Sequence, residues 1–131
     1  MQVFEKTITV YKEDLDELNH VNNVRYVQWV QDIAKEHWLT YASKEVLETY
    51  SWFLVSHHIE YKSQALLGDE LLLKTFVPKI AGVSTVRHVE ITNAKTEQLI
   101  VSSKTKWCLI DSKTQRPTRI TTEIAQLFQQ K

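Results

Sequence analysis

Asp14, Asp16, His20, Asn22 and Asn23 fall within a ten-residue stretch, Asp-Leu-Asp-Glu-Leu-Asn-His-Val-Asn-Asn, that runs straight into a helical pattern. A carboxylate in such a place can take a proton from water or attack an activated carbonyl. The first amides of the helix behind it carry roughly half an elementary charge and stabilise an oxygen that is becoming an anion. Residue types alone leave Asp16 as a solvated loop acid or as that base. Asp14, two residues further from the helix, reads as solvated. For His20 and Asn23, capping and loop hydrogen bonding compete with direct contact to a reacting group.

The helix that must position these groups begins near Asn23, with Asn22 or Asn23 as its cap. At about 100° per residue, Tyr26, Val27, Trp29, Val30, Ile33, Ala34, His37 and Trp38 fall on one half of it. An apolar arc that wide predicts a helix wrapped by its neighbours, so a curved partner is expected. Tyr26 and Trp29, with Trp38, are candidates for the wall of a binding tunnel as well as for core.

The remaining pattern is mostly strand. Residues 3–11 read as a strand, 42–50 as a short helix or turn with Ser43 as cap, and 52–62 as a half-buried strand whose odd positions, Phe53 to Tyr61, face inward. Leu67-Gly-Asp is a turn before a strand from Glu70 to Val77 that Pro78 ends, and Gly82 marks a reversal. Ser84 to Thr92 is a strand in which Val86 and the Val89/Ile91 pair differ in parity, which predicts a bulge. Leu99 to Ile110 is the longest strand, Arg116-Pro117 breaks the chain, and Thr121 caps a last helix with Ile124, Leu127 and Phe128 on one side. Short connections favour antiparallel neighbours, so the expected class is α+β, a curved antiparallel sheet wrapped around a long central helix. An open sheet edge favours pairing with a second copy of the chain.

A chain of 131 residues fits one domain, 1–131, and 43% hydrophobic against 24% charged residues excludes a disordered or low-complexity chain. Sixteen basic and sixteen acidic side chains balance, which argues against nucleic acid or an anionic membrane as partner. No run is apolar enough to span a bilayer and no signal core opens the chain, so a cytoplasmic protein is expected. The single Cys108 excludes an internal disulfide, and mid-strand it lacks the setting that activates a thiol. Adjacent strand residues His57 and His58 point to opposite faces and cannot close on one ion, so neither a metal nor another cofactor is expected.

The order of elements and the string Asp-x-Asp-x-x-x-His-Val-Asn-Asn-x-x-Tyr-x-x-Trp at 14–29 resemble the hotdog-fold acyl thioesterases. The likeness is strongest to small bacterial acyl-CoA thioesterases related to hydroxybenzoyl-CoA thioesterase. Ile59 to Leu71 and Arg116-Pro-Thr-Arg-Ile resemble the family's later segments. The resemblance implies a hotdog fold, hydrolysis of an acyl-CoA thioester, and a homodimer or homotetramer with sites between subunits. It implies Asp16 as general base or nucleophile, and the amide of Asn23 or its neighbour as carbonyl-polarising donor. Plant acyl-carrier-protein thioesterases share the string and bring a His into the site, which His20 matches, but Leu18 stands where they carry Asn. The Asp-centred mechanism is therefore preferred, with an acyl carrier protein as the other carrier. Arg87, with Lys104 and Lys106, is the candidate contact for coenzyme phosphates. The competing reading is a non-catalytic hotdog module that binds acyl-CoA or an acyl carrier protein.

Overall fold

Asn22 stops the loop and starts the long helix, because its side-chain Oδ1 accepts the Val24 N–H at 3.0 Å. The structure, a computed structural model, describes residues 1–129. Its elements are β1 (Phe4–Thr9), α1 (Asn23–Tyr41), α2 (Lys44–Thr49), β2 (Tyr50–Tyr61), β3 (Glu70–Ala81), β4 (Ser84–Asn93), β5 (Leu99–Asp111), β6 (Arg116–Pro117) and α3 (Thr122–Leu127). Ser43 and Thr121 cap α2 and α3, accepting the amides of Val46 and Ile124. Among the described residues the six strands form one sheet of antiparallel neighbours, in the order β1-β3-β4-β5-β2, with β6 beside the far end of β5. No described helix is long and apolar enough to cross a membrane.

α1 lies in the hollow of this sheet, burying Tyr26, Trp29, Val30, Ile33, Ala34 and His37. The first four meet Leu71 and Leu73 of β3, Val89 and Ile91 of β4, and Ile100 and Val101 of β5 in the main core. A second apolar cluster joins Val46 of α2, Val77, Leu109, Ile124 and Phe128, with Trp38 and Trp52 packed against it. Curvature comes from extra residues in single strands, which bend a ladder locally.

Three sequence expectations change for that reason. In β2 the register slips between Leu54 and Ser56, so Trp52 and Leu54 turn inward before the bulge at Val55, and His57 and Ile59 after it. Phe53 and Val55, expected inside, are 62% and 51% exposed. β3 does not end at Pro78: the residue sits in the slip between Phe76 and Lys79, where the absent N–H breaks no ladder bond, and the strand runs on to Ala81. The bulge expected in β4 is that same slip in its partner. β4 alternates without interruption, with Thr85, Arg87, Val89 and Ile91 inward and Val86 outward. Arg116-Pro117, expected as a break, pairs with Asp111 and Ile110 as a short strand. At Gly82 a φ of +63° closes the two-residue turn between the paired Ala81 and Ser84.

Between the two apolar clusters lies a buried polar group. The Arg87 Nη1 donates to His37 Nδ1 and to Thr75 Oγ1, each at 2.9 Å. A guanidinium only donates, so Nδ1 accepts, and His37 is the neutral tautomer whose Nε2–H donates to Gln2 Oε1 at 2.6 Å. Burial, with the Arg87 charge beside it, holds His37 down at about 4. The Gln2 N–H in turn donates to Phe128 O, tying both chain ends to the cluster.

This arrangement sets an acid limit on stability. Above the ordinary His value of 6.5 the folded and unfolded chains both hold a neutral His37, and the contribution is complete. As pH falls from there toward about 4 the unfolded chain takes up a proton that the folded chain refuses, so stability drops. Urea midpoints from about pH 7 to about pH 4.5 are expected to record a loss of roughly 2–3 kcal/mol, and His37→Gln, which keeps both hydrogen bonds and cannot be protonated, should flatten it.

Candidate active site

The stretch before α1 folds back on itself. Leu15 and Val21 pair as an antiparallel bridge, the Asp16 N–H donates to His20 O at 2.7 Å, and Asn19 turns the chain with a φ of +61° that asparagine tolerates. Inside this tight loop the Asp16 Oδ1 accepts the amides of Leu18 at 2.9 Å and His20 at 3.1 Å. Its Oδ2 carries no hydrogen bond from the described residues, and the residue is half-buried. One carboxylate oxygen is thus an anchor and the other is free to act. His20 is half-buried beside it, its imidazole without a described partner.

Asp14, expected in solvent, is buried at 7% exposure. Its Oδ1 is 2.7 Å from the Arg25 Nε, and its Oδ2 accepts the Tyr11 N–H at 2.9 Å. The Asn22 N–H donates to Asp14 O, so the residue clamps the loop onto the first turn of α1. Arg25 was the missed signal, because an arginine in a first helical turn opposes the helix's positive end unless an acid answers it.

At the helix start, Asn22 takes the Val24 N–H through its side chain and the Arg25 N–H through its carbonyl. The Asn23 N–H has no acceptor among the described residues, and Asn23 is exposed. A cavity of about 210 Å³ opens nearby, with Asp14, Leu15, Asn22, Val24, Arg25 and Gln28 in its wall and Asp16, His20 and Asn23 outside its lining. The loop therefore presents a free carboxylate oxygen and an imidazole, and the helix beside it an open amide. That set can activate water or attack a carbonyl, and polarise the oxygen of that carbonyl.

The other candidate residues lie elsewhere. Tyr26 and Trp29 are packed edge to face in the core and line neither cavity. The Tyr26 hydroxyl accepts the Ala65 N–H at 3.0 Å, and burial pushes its pKa up. Trp38 alone of that aromatic set lines a cavity, the larger one of about 340 Å³ on the flank of α1. Arg87 lines it too, from within, whereas Lys104 and Lys106 are exposed on the other face of the sheet. Lys104 and Lys106 share a face as expected, and Arg87 stands apart from them. Parity with Val89 and Ile91 was the signal that turns Arg87 inward. His57 and His58 diverge as expected: the His57 Nε2 lies 2.8 Å from Ser103 Oγ, and His58 pairs with Glu60 outside. Cys108 is half-buried in β5, its thiol turned to the Leu109 carbonyl.

A family model, the thioesterase-like superfamily, matches residues 10–128. The chain belongs to that superfamily. It is 23% identical over 124 residues to the long-chain acyl-CoA thioesterase FadM of Escherichia coli (strain K12), covering 88% of this chain and 89% of that one. Among solved structures it is similar to a 1,4-dihydroxy-2-naphthoyl-CoA thioesterase from Synechocystis, with a TM-score of 0.85, 17% identity and 98% and 97% of the two chains covered. It is also similar to a mutant 4-hydroxybenzoyl CoA thioesterase complexed with 4-hydroxybenzoyl CoA, with a TM-score of 0.87, 13% identity and 98% and 99% covered. The curled sheet around α1 is therefore the hotdog fold, and this thioesterase-like chain is an enzyme of thioester hydrolysis.

The different bonding of the two acids has a measurable result. Asp14→Asn keeps the Tyr11 contact but loses the charge facing Arg25, and a lower urea midpoint worth about 1–2 kcal/mol is expected. Asp16→Asn keeps an oxygen for both amides, so its midpoint should stay within about 0.5 kcal/mol of the parent.

Proposed function

We propose that this protein hydrolyses acyl-CoA thioesters, with Asp16 as general base or nucleophile and the Asn23 N–H as the donor that polarises the thioester carbonyl. The observation that carries this reading is the free Oδ2 of an Asp16 whose other oxygen is pinned by two amides, in the loop leading to a helix start with an open N–H. FadM is a long-chain acyl-CoA thioesterase, which supports CoA as the carrier, with an acyl carrier protein as the alternative.

As a base, Asp16 takes a proton from water and the new hydroxide adds to the carbonyl carbon. The oxyanion forms against the Asn23 amide, the C–S bond breaks, and the CoA thiolate leaves and is protonated. As a nucleophile, Asp16 adds to the carbonyl carbon, the C–S bond breaks to release the CoA thiolate, and water then cleaves the resulting mixed anhydride to the free acid and Asp16. His20, tied through its backbone to Asp16, completes the polar edge of the site. Tyr26 and Trp29 support the substrate from behind, as the packing under the first turns of α1. The chain acts as one hotdog domain in the cytoplasm.

Asp16→Asn is expected to lower turnover by ~10²-fold or more, the scale of losing a general base, while the protein stays folded. A panel of short, long and aromatic acyl-CoAs with free-thiol detection reads this, and Cys108→Ser should retain the parent rate. A folded Asp16→Asn protein with full activity would remove the carboxylate mechanism, and silence of the parent on every substrate would favour the non-catalytic module.

Assembly belongs to the same proposal. β2 is a twelve-residue edge strand that carries exposed Phe53 and Val55, an edge suited to a second copy. Sedimentation at micromolar concentration is expected to give a dimer or tetramer, and Val55→Lys a smaller species; a clean parent monomer would count against it.

A further inference from the structure

Arg87 is a buried cation with no anion beside it. It is 5% exposed, and no Asp or Glu of the described residues forms an ion pair with it. Its Nη1 serves His37 and Thr75, and the Phe128 ring lies 5.5 Å from its Cζ. The Nε–H and the Nη2 hydrogens have no acceptor among the described residues. An unanswered charge inside a protein is costly, and a charge-assisted hydrogen bond to it is correspondingly strong. Every described side-chain N or O atom that is sealed from solvent has a partner, so these two nitrogens are not sealed. The space they reach is the 340 Å³ cavity that Arg87 helps to line.

The walls of that cavity define its ligand. Trp38, Trp52, Trp107 and Phe128 supply aromatic surface, and Thr85 adds a hydroxyl at the level of Arg87. The volume lies at the small end of ligand pockets, room for one ring or a short chain. The free edge of a guanidinium offers two parallel N–H groups, the match for a planar carboxylate. Asp32 and Lys35 also line the cavity with one charge of each sign, Asp32 accepting the Gln28 amide, so Arg87 leaves the lining with one net positive charge and a monoanion suffices.

The cavity is separate from the one at the Asp16 loop, although Gln28 lines both, and Arg87 lies toward its far end. His37, which touches Arg87, follows Asn23 by fourteen residues, about 20 Å along the helix axis. Asp16, His20 and Asn23 are not in its lining.

We propose that this cavity is a carboxylate-binding site, in which the free edge of Arg87 holds the carboxylate of a small acid whose apolar body lies between the tryptophans. Two sources share that chemistry: the free acid released by hydrolysis, and a carboxylate at the far end of an acyl group. Naming those sources rests on the thioesterase reading; binding of the acid does not.

The test titrates the full chain with phenylacetate and with octanoate, by calorimetry and by tryptophan fluorescence, since three of the four tryptophans line the cavity. Saturable binding is expected, weakened ~10-fold or more in Arg87→Gln and absent for the methyl esters. If Arg87→Gln does not fold, Gln31→Phe serves, because it crowds the cavity from a half-exposed helix position outside the buried cluster, and the same weakening is expected. No saturation by ~10 mM acid, equal binding of acid and ester, or parent-like affinity in the folded variants would each overturn the site. Hydrolysis distinguishes the sources. Inhibition by the acid that Arg87→Gln relieves marks the product, and a preference for ω-carboxyacyl-CoA over the plain acyl-CoA that Arg87→Gln abolishes marks the acyl group. Acid binding without any thioester hydrolysis keeps the site and removes the function; hydrolysis without acid binding does the reverse.

Discussion

A helix with apolar residues over half its circumference needs a sheet that bends around it, and a sheet bends only where its ladders are interrupted. Most features of this structure follow from that constraint. The slip at Val55 turns β2, the slip at Val77-Pro78 turns β3, and Ile100 is the extra residue where β5 leaves step with β4. Each interruption also changes which side chains face α1. The Val55 bulge brings Trp52 and Leu54 inward and puts Phe53 out, while the β3 slip lies opposite Arg87. Curvature and the composition of the hollow are therefore one problem with one solution.

The hollow holds two apolar clusters with a hydrogen-bonded polar group between them. Arg87, His37, Thr75 and Gln2 satisfy one another in a chain of donors and acceptors that fixes the neutral state of His37 and links β3, β4, α1 and the N-terminal segment. A buried network of this kind is sensitive to any single loss, because each removed partner leaves another group unpaired in a low dielectric. The network is complete on the side of Nη1 and open on the side of the cavity.

The two loop acids illustrate how position within a few residues separates roles. Asp14 and Asp16 are both strand-to-helix loop carboxylates, yet one spends both oxygens on the fold and the other spends one. Asp14 ties the loop to α1, and that tie is what can hold the Asp16 Oδ2 in one place. Preorganisation of this kind is the usual contribution of a fold to acyl transfer.

The amino-acid sequence by itself determined what depends on near neighbours. The start of α1 at Asn23, the caps Asn22, Ser43 and Thr121, the Gly82 turn and the long strand β5 all follow from local hydrogen bonding and periodicity. The motif around Asp16 and its family were legible for the same reason, since the chemistry sits in one contiguous stretch. Only the tertiary structure decided the rest. Whether Asp14 meets solvent depends on Arg25 a helical turn into α1, and the parity of β2 depends on a bulge that only a curved pairing with β5 requires. Arg87 looked like a surface cation among others because a strand's pattern marks two faces without saying which is covered. The sheet's closure over α1 is what chose the face, through long-range packing that no local pattern contains.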